Sequence, residues 1–110
     1  MMRYVVLHHT EIEAPHYDLM YETSPESALR TWRLCGWPPR SGDAAEPIGD
    51  HRRVYLEFEG AVSGDRGRVT RVAAGCCDVQ ESADQVMIAS TTDKWTLGLK
   101  RSAAGSWVVE

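Results

Sequence analysis

His16-Tyr17-Asp18 is the segment of this chain best suited to do chemistry. Side chains alternate between the two faces of an extended strand, so an imidazole and a carboxylate two residues apart project from the same side and can converge on one ion. A third ligand from a neighbouring strand would close the set, and His9, at the end of the preceding apolar run, is placed to supply it. Two histidines and a carboxylate with open coordination positions suit Mn²⁺, Fe²⁺ or Zn²⁺. Such an ion acts as a Lewis acid on a phosphoryl oxygen and lowers the pKa of water. The same His-x-Asp spacing also occurs in plain surface salt bridges and in satisfied core histidines, and spacing alone leaves all three readings open. His8, out of phase with His9, is expected to point outward.

These residues need strands to hold them. Tyr4 to His9 is apolar and β-branched and predicts a strand. Ile12 to Pro15 is a short connection, and His16 to Glu22 alternates as a second strand, with Tyr17, Leu19 and Tyr21 on one face and His16, Asp18 and Met20 on the other. Ser24-Pro25-Glu26 resembles a helix start, with serine as cap and proline at the first position; Thr31 to Leu34 leans towards strand. Gly36 to Asp50, rich in Gly, Pro, Asp and Ala, reads as a long loop. Arg53 to Glu59 alternates as a strand ended by Gly60, and Val62 to Gly64 makes a turn. Arg68 to Ala73, Gln85 to Ser90, Trp95 to Lys100 and Ser106 to Val109 are further strands, with Gly105 in a hairpin turn between the last two. About seven or eight short strands with turn signals, and at most short helices, predict a mostly-β, compact single-domain barrel or sandwich spanning 1–110.

Bulk properties narrow the function. The chain has 110 residues, 43% hydrophobic and 25% charged, enough for one domain with a modest core. No stretch approaches the roughly 20 apolar residues that cross a membrane, and the start lacks the pattern of a signal peptide, so no membrane partner and a cytoplasmic location are expected. A net charge of −4 argues against an extended groove for duplex DNA. The arginines are instead bunched, which could form a positive wall beside an acidic pocket. Cys35, Cys76 and Cys77 show no zinc-type spacing, and a vicinal pair strains the peptide between its members, so they read as reduced thiols. Trp32, Trp95 and Trp107 read as core or barrel-rim residues. Trp37, in the long loop, either packs over the barrel end or stacks on a base.

Three stretches together resemble the 3′-phosphoesterase domain of bacterial DNA ligase D. Tyr4-Val5-Val6-Leu7-His8-His9 followed by His16-Tyr17-Asp18-Leu19-Met20-Tyr21-Glu22 is similar to the family's strand ending in His and its His-Tyr-Asp-hydrophobic-Arg-Leu-Glu strand. Thr31-Trp32-Arg33-Leu34 is like its Ser-Trp-Ala-Val. Asp50-His51-Arg52-Arg53-Val54-Tyr55-Leu56-Glu57-Phe58-Glu59-Gly60 is like its Glu-Asp-His, Tyr, then Phe-Glu-Gly. The resemblance implies a compact β-barrel that uses Mn²⁺ (Zn²⁺ or another transition metal being the alternative) to remove 3′-phosphates and 3′-terminal ribonucleotides in end repair. It assigns the metal to His9, His16 and Asp18, the scissile phosphate to His51, and a hydrogen-bonding support of that site to Tyr55. The implied partners are a nucleic-acid 3′ end or a small phosphate ester, together with a DNA-repair protein; the chain itself is expected to be monomeric.

Two positions depart from the pattern. Met20 stands where the family carries a phosphate-binding arginine, and Asp43 stands where it carries a basic residue. Methionine neither donates a hydrogen bond nor neutralises an oxyanion, and loss of such a contact is worth roughly 10²–10³ in rate. Arg52 and Arg53, next to His51, are the candidate substitutes for phosphate binding, with Arg66 and Arg68 behind them, because arginine reaches far and grips phosphate with two donors. A solvated arginine pair is the plain alternative. The competing function is a catalytically weakened relative that keeps the fold as a metal- or phosphate-binding interaction module.

Overall fold

A computed structural model describes residues 1–110 and shows nine strands with one short 3-10 turn. In chain order these are β1 (Met2–Thr10), β2 (His16–Glu22), β3 (Leu29–Leu34), β4 (Ala44–His51), the 3-10 turn Arg53–Leu56, β5 (Gly60–Ala61), β6 (Arg68–Glu81), β7 (Gln85–Ser90), β8 (Thr96–Arg101) and β9 (Trp107–Val109). The hydrogen-bonded order β1-β2-β3-β4-β9-β8-β7-β6 is closed by antiparallel pairing of β6 with β1, giving an eight-stranded barrel with β5 attached to the start of β6. Closure leaves the eight strands in a ring, which covers most of the sheet edges that invite association; β4 pairs with β9 only at Ala44 and Ala45.

Two apolar clusters lie on opposite faces of the β1–β2 hairpin. Tyr4, Val6, Leu19, Tyr21, Trp32 and Leu34 join residues from β4 and from β6 to β9 and fill the barrel. Val5, Leu7, Met20, Leu29, Leu56 and Val69 form a smaller cluster on the outer wall, covered by Tyr55, Phe58 and Val62. Burial on both faces explains why Tyr4 to Leu7 is uniformly apolar instead of alternating. His16, Asp18 and Met20 share the outer face, as their alternation predicted.

Most predicted strands form, and three expectations fail for physical reasons. Ser24-Pro25-Glu26 starts no helix. Only six residues separate β2 from β3, and they close as a turn in which Ser27 N–H donates to the Ser24 carbonyl and Glu26 takes φ 63°. The loop expected from Gly36 to Asp50 ends early, because Ala44 to His51 pairs with β3 despite its poor strand composition. Beyond Ala45 no strand pairs with the other side of β4, so Pro47, which has no N–H, is tolerated. Arg53 to Glu59 is not a strand: its alternating apolar residues fold as a 3-10 turn and a loop that lay Leu56 and Phe58 over the outer cluster. Short apolar runs carry too little periodicity to separate these cases.

The remaining strand, β6, runs on through Cys76-Cys77 to Glu81. Consecutive strand residues face opposite sides, so the vicinal thiols diverge and remain free. Burial pushes the Cys77 thiol up to about 11, with Asp78 adding to it, which withholds the reactive thiolate. Trp37 packs edge-on against Trp95, and Trp95 against Tyr4, which seats the long loop over the barrel end. No helix is long and apolar enough to cross a membrane.

One ion pair anchors the segment covering the outer cluster. The buried Glu22 carboxylate accepts from Arg53 at 2.6 Å, from the Arg3 N–H at 2.6 Å and from the Glu26 N–H at 3.3 Å. Burial alone would raise its pKa, but these donors, Arg53 foremost, hold it below the ordinary carboxylate value. A depressed folded-state pKa stabilises above the unfolded carboxylate range, and that contribution is lost as pH falls through the folded value. Arg53→Ala should therefore lower stability at pH 7 by about 1–3 kcal/mol. The difference from wild type should shrink below pH 3, as followed by urea unfolding at both pH values.

Candidate metal centre

The β1–β2 register sets His9 directly across from His16 and Leu7 across from Asp18, so the hairpin delivers all three ionisable side chains to one face. One ligand atom from each of His9, His16 and Asp18 lies within 4.8 Å of the others. The two imidazoles meet edge to face, with centroids 5.1 Å apart. His8 points to the opposite face, where it stacks on Tyr17 at the barrel mouth.

Backbone carbonyls orient both rings. His16 Nδ1 lies 2.9 Å from the Ala14 carbonyl, which can only accept; Nδ1 therefore carries the hydrogen, and the neutral ring keeps its lone pair on Nε2. That lone pair faces Asp18 Oδ2 at 3.4 Å. His9 Nε2 donates to the Arg66 carbonyl at 2.7 Å, leaving Nδ1 as its lone-pair atom. His16 Nε2 and Asp18 Oδ1 are both buried without a hydrogen-bond partner. The nearest cation to Asp18 Oδ1 is Arg33, with Nε at 3.9 Å, while Oδ2 and His16 Nε2 face one another as a pair. A proton on His16 would serve that pair alone, whereas a metal ion also engages His9. The three side chains could together hold a metal ion, and carbonyl-oriented imidazoles are usual among metal ligands.

The Arg66 carbonyl reaches His9 because of a tight turn. Val62 N–H donates to the Gly67 carbonyl, and Gly64, Asp65 and Gly67 all take positive φ. At Gly67, φ +83°, a Cβ would collide with the Thr10 carbonyl and approach His9 Nε2 to 3.2 Å. Only glycine lets the turn lie this close.

A cavity of about 110 Å³ adjoins the cluster, lined by His9, Asp18, Met20, His51, Tyr55 and Arg66 among others. His51, the last residue of β4, has Nδ1 at 2.9 Å from the Gly49 carbonyl and 3.0 Å from Thr31 Oγ1. Its Nδ1 therefore donates to Gly49, which leaves Nε2 uncommitted. Tyr55 packs its ring edge-on against His51, with centroids 5.7 Å apart; its hydroxyl makes no hydrogen bond, so its contact is one of packing.

The predicted phosphate-binding arginines lie elsewhere. Arg53 is committed to Glu22 and to the Ser27 carbonyl. Arg52 lines a neighbouring cavity with Tyr55 and Phe58. Arg66 reaches the small cavity, but its guanidinium donates to Ser63. Arg68 pairs with Glu11. Met20 is buried in the outer cluster, and Asp43 accepts the Arg40 N–H in a surface turn. The cation that sequence reasoning missed is Arg33. It sits opposite Asp18 in the β2–β3 register, with Nε 3.9 Å from Asp18 Oδ1. Thr31–Leu34 leans towards strand in the sequence, but the partner of Arg33 depends on register.

No family model matches this chain, and no curated protein matches it.

The wild-type protein should bind one equivalent of a divalent transition metal, and His16→Ala and Asp18→Ala should each abolish stoichiometric binding. Gly67→Ala should weaken binding about 10–100-fold by displacing the carbonyl that orients His9. Titration calorimetry on the four proteins, with circular dichroism to verify folding, checks both expectations.

Proposed function

We propose that this barrel is a divalent-metal-dependent phosphoesterase, a divergent relative of the ligase D 3′-phosphoesterase domain. It would act on a 3′-phosphate or 3′-ribonucleotide end, or on a smaller phosphate ester. The carrying observation is the cluster of His9, His16 and Asp18, whose ligand atoms lie within 4.8 Å of one another beside a cavity that His51 shares, with His16 Nε2 and Asp18 Oδ1 buried and without hydrogen-bond partners. Mn²⁺ is the metal the resemblance favours, and two imidazoles with one carboxylate are compatible with it. When bound, the ion supplies Lewis acidity and lowers the pKa of water.

The chain's own residues do the rest. His9, His16 and Asp18 would hold the ion on a strand hairpin packed on both faces, which limits their movement. His51, its Nδ1 held by Gly49 and Thr31, has Nε2 left free to contact a phosphate oxygen. Tyr55 fixes the ring's orientation by packing against it.

One observation favours the weakened relative as a second reading. Of the groups lining the small cavity, Met20 is apolar and the Arg66 guanidinium is turned to Ser63, so no free arginine faces His51 there.

Mn²⁺-loaded wild type should release phosphate from a 3′-phosphorylated oligonucleotide, with His16→Ala inactive and His51→Ala reduced about 10²–10³-fold. Metal binding without turnover of this or of a generic phosphomonoester would sink the esterase reading and leave the binding module.

A further inference from the structure

A second, larger cavity of about 530 Å³ opens on the other side of the metal cluster, between the β1–β2 connection, β3 and β4. It falls within the ~300–1,000 Å³ typical of small-molecule sites. His9 and His16 form one end, Ile12, Pro15 and Leu34 give apolar walls, and Arg33 stands at the boundary with Asp18.

Most arginines of the chain are committed. Arg3, Arg30, Arg53, Arg68, Arg71 and Arg101 are ion-paired, and Arg66 donates to Ser63. Arg33 is held more loosely: its guanidinium makes no hydrogen bond, is 43% exposed, and stands 3.9 Å from Asp18 Oδ1; the Arg40 and Arg52 guanidinium groups make no hydrogen bond either, but of the three only Arg33 lines the groove. A guanidinium carries five donors in a rigid fork suited to a phosphate. Here that fork makes no hydrogen bond and is borne on a strand paired on both sides, lining a groove together with His9 and His16.

We propose that Arg33 is the anion-binding residue of this site, and that the groove beside it receives the organic part of a small phosphate monoester. The inference rests on the phosphoesterase reading and names its substrate class. Glu13 and Glu46, both exposed, also line the groove. Their charges oppose a polyanionic chain running through it while leaving room for one phosphate held between Arg33 and the cluster. A short ester with an apolar or neutral group matches both the walls and the acids.

The test uses two non-hydrolysable probes, phenylphosphonate and methylphosphonate, titrated into the Mn²⁺-loaded and metal-free protein, with Mn²⁺ affinity measured separately. Arg33→Met should keep its Mn²⁺ and its melting temperature but bind phenylphosphonate about 10–100-fold more weakly. Arg33→Lys should fall between the two, and Arg40→Met, an equal charge change outside the groove, should match wild type. Phenylphosphonate should bind wild type more tightly than methylphosphonate. Undiminished binding by Arg33→Met with metal intact overturns the role of Arg33, and equal affinity for the two probes overturns that of the groove. If wild type takes up no Mn²⁺, the metal reading fails. The metal-free titration then decides Arg33 alone, since binding unaffected by Arg33→Met would overturn it there too.

Discussion

The structure depends on β1 being paired on both sides and buried on both faces. Its backbone bonds to β2 along one edge and to β6 along the other, and the second pairing closes the barrel. Without that closure, β1 and β6 would present unpaired edges, and Tyr4 and Val6 would lose the enclosure of the strands opposite. The outer cluster depends on the same strand, since Val5 and Leu7 give the turn bearing Leu56 a surface to cover. His9 sits near the end of this doubly constrained element, facing His16 across one edge, with its ring bonded to the turn that leads into the other. The His9–His16–Asp18 cluster thus inherits its geometry from the seam of the barrel.

Two buried carboxylates on β2 make the functional argument sharper. Asp18 and Glu22 lie on the same outer face of one strand, four residues apart. Glu22 has an arginine and two backbone N–H donors around it, the arrangement that makes a buried charge tolerable. Asp18 has one oxygen with no hydrogen-bond partner and another facing an imidazole lone pair. The fold can satisfy a carboxylate in this wall, as Glu22 demonstrates, whereas Asp18 has only Arg33 at 3.9 Å and two oriented histidines beside it, a cluster that could hold a metal ion. Satisfaction of buried polar groups is the rule, and its exceptions are where ligands belong.

The site stands on the outer wall of the barrel, with a small cavity on one side and a wider groove on the other. The lumen is filled with largely apolar side chains. The 3-10 turn and the glycine-rich turn before β6 close over the small cavity. Arg33 and the acids of the groove give the open side a mixed charge consistent with the acidic balance of the chain.

Much of this was legible in the chain itself. Alternation in His16–Glu22 and Gln85–Ser90 marks strands whose bounds match the structure, and two-residue spacing puts His16 and Asp18 on one face whatever else happens, because side-chain phase is a local property of an extended backbone. A short connection before β2 brings His9 to the same hairpin for the same reason. Other features are set by partners distant in sequence. Ala44–His51 becomes a strand because β3 needs a neighbour, and Arg53–Leu56 becomes a 3-10 turn because Glu22 and the outer cluster hold it there. The placement of Arg33 beside Asp18, the loss of Arg53 to an ion pair and the Arg66 carbonyl at His9 follow from register and closure. The sequence by itself determined which residues could ligate a metal and that they share a face; only the tertiary structure decided which cation stands beside them, since cross-strand neighbours are chosen by packing and hydrogen bonding over the whole barrel.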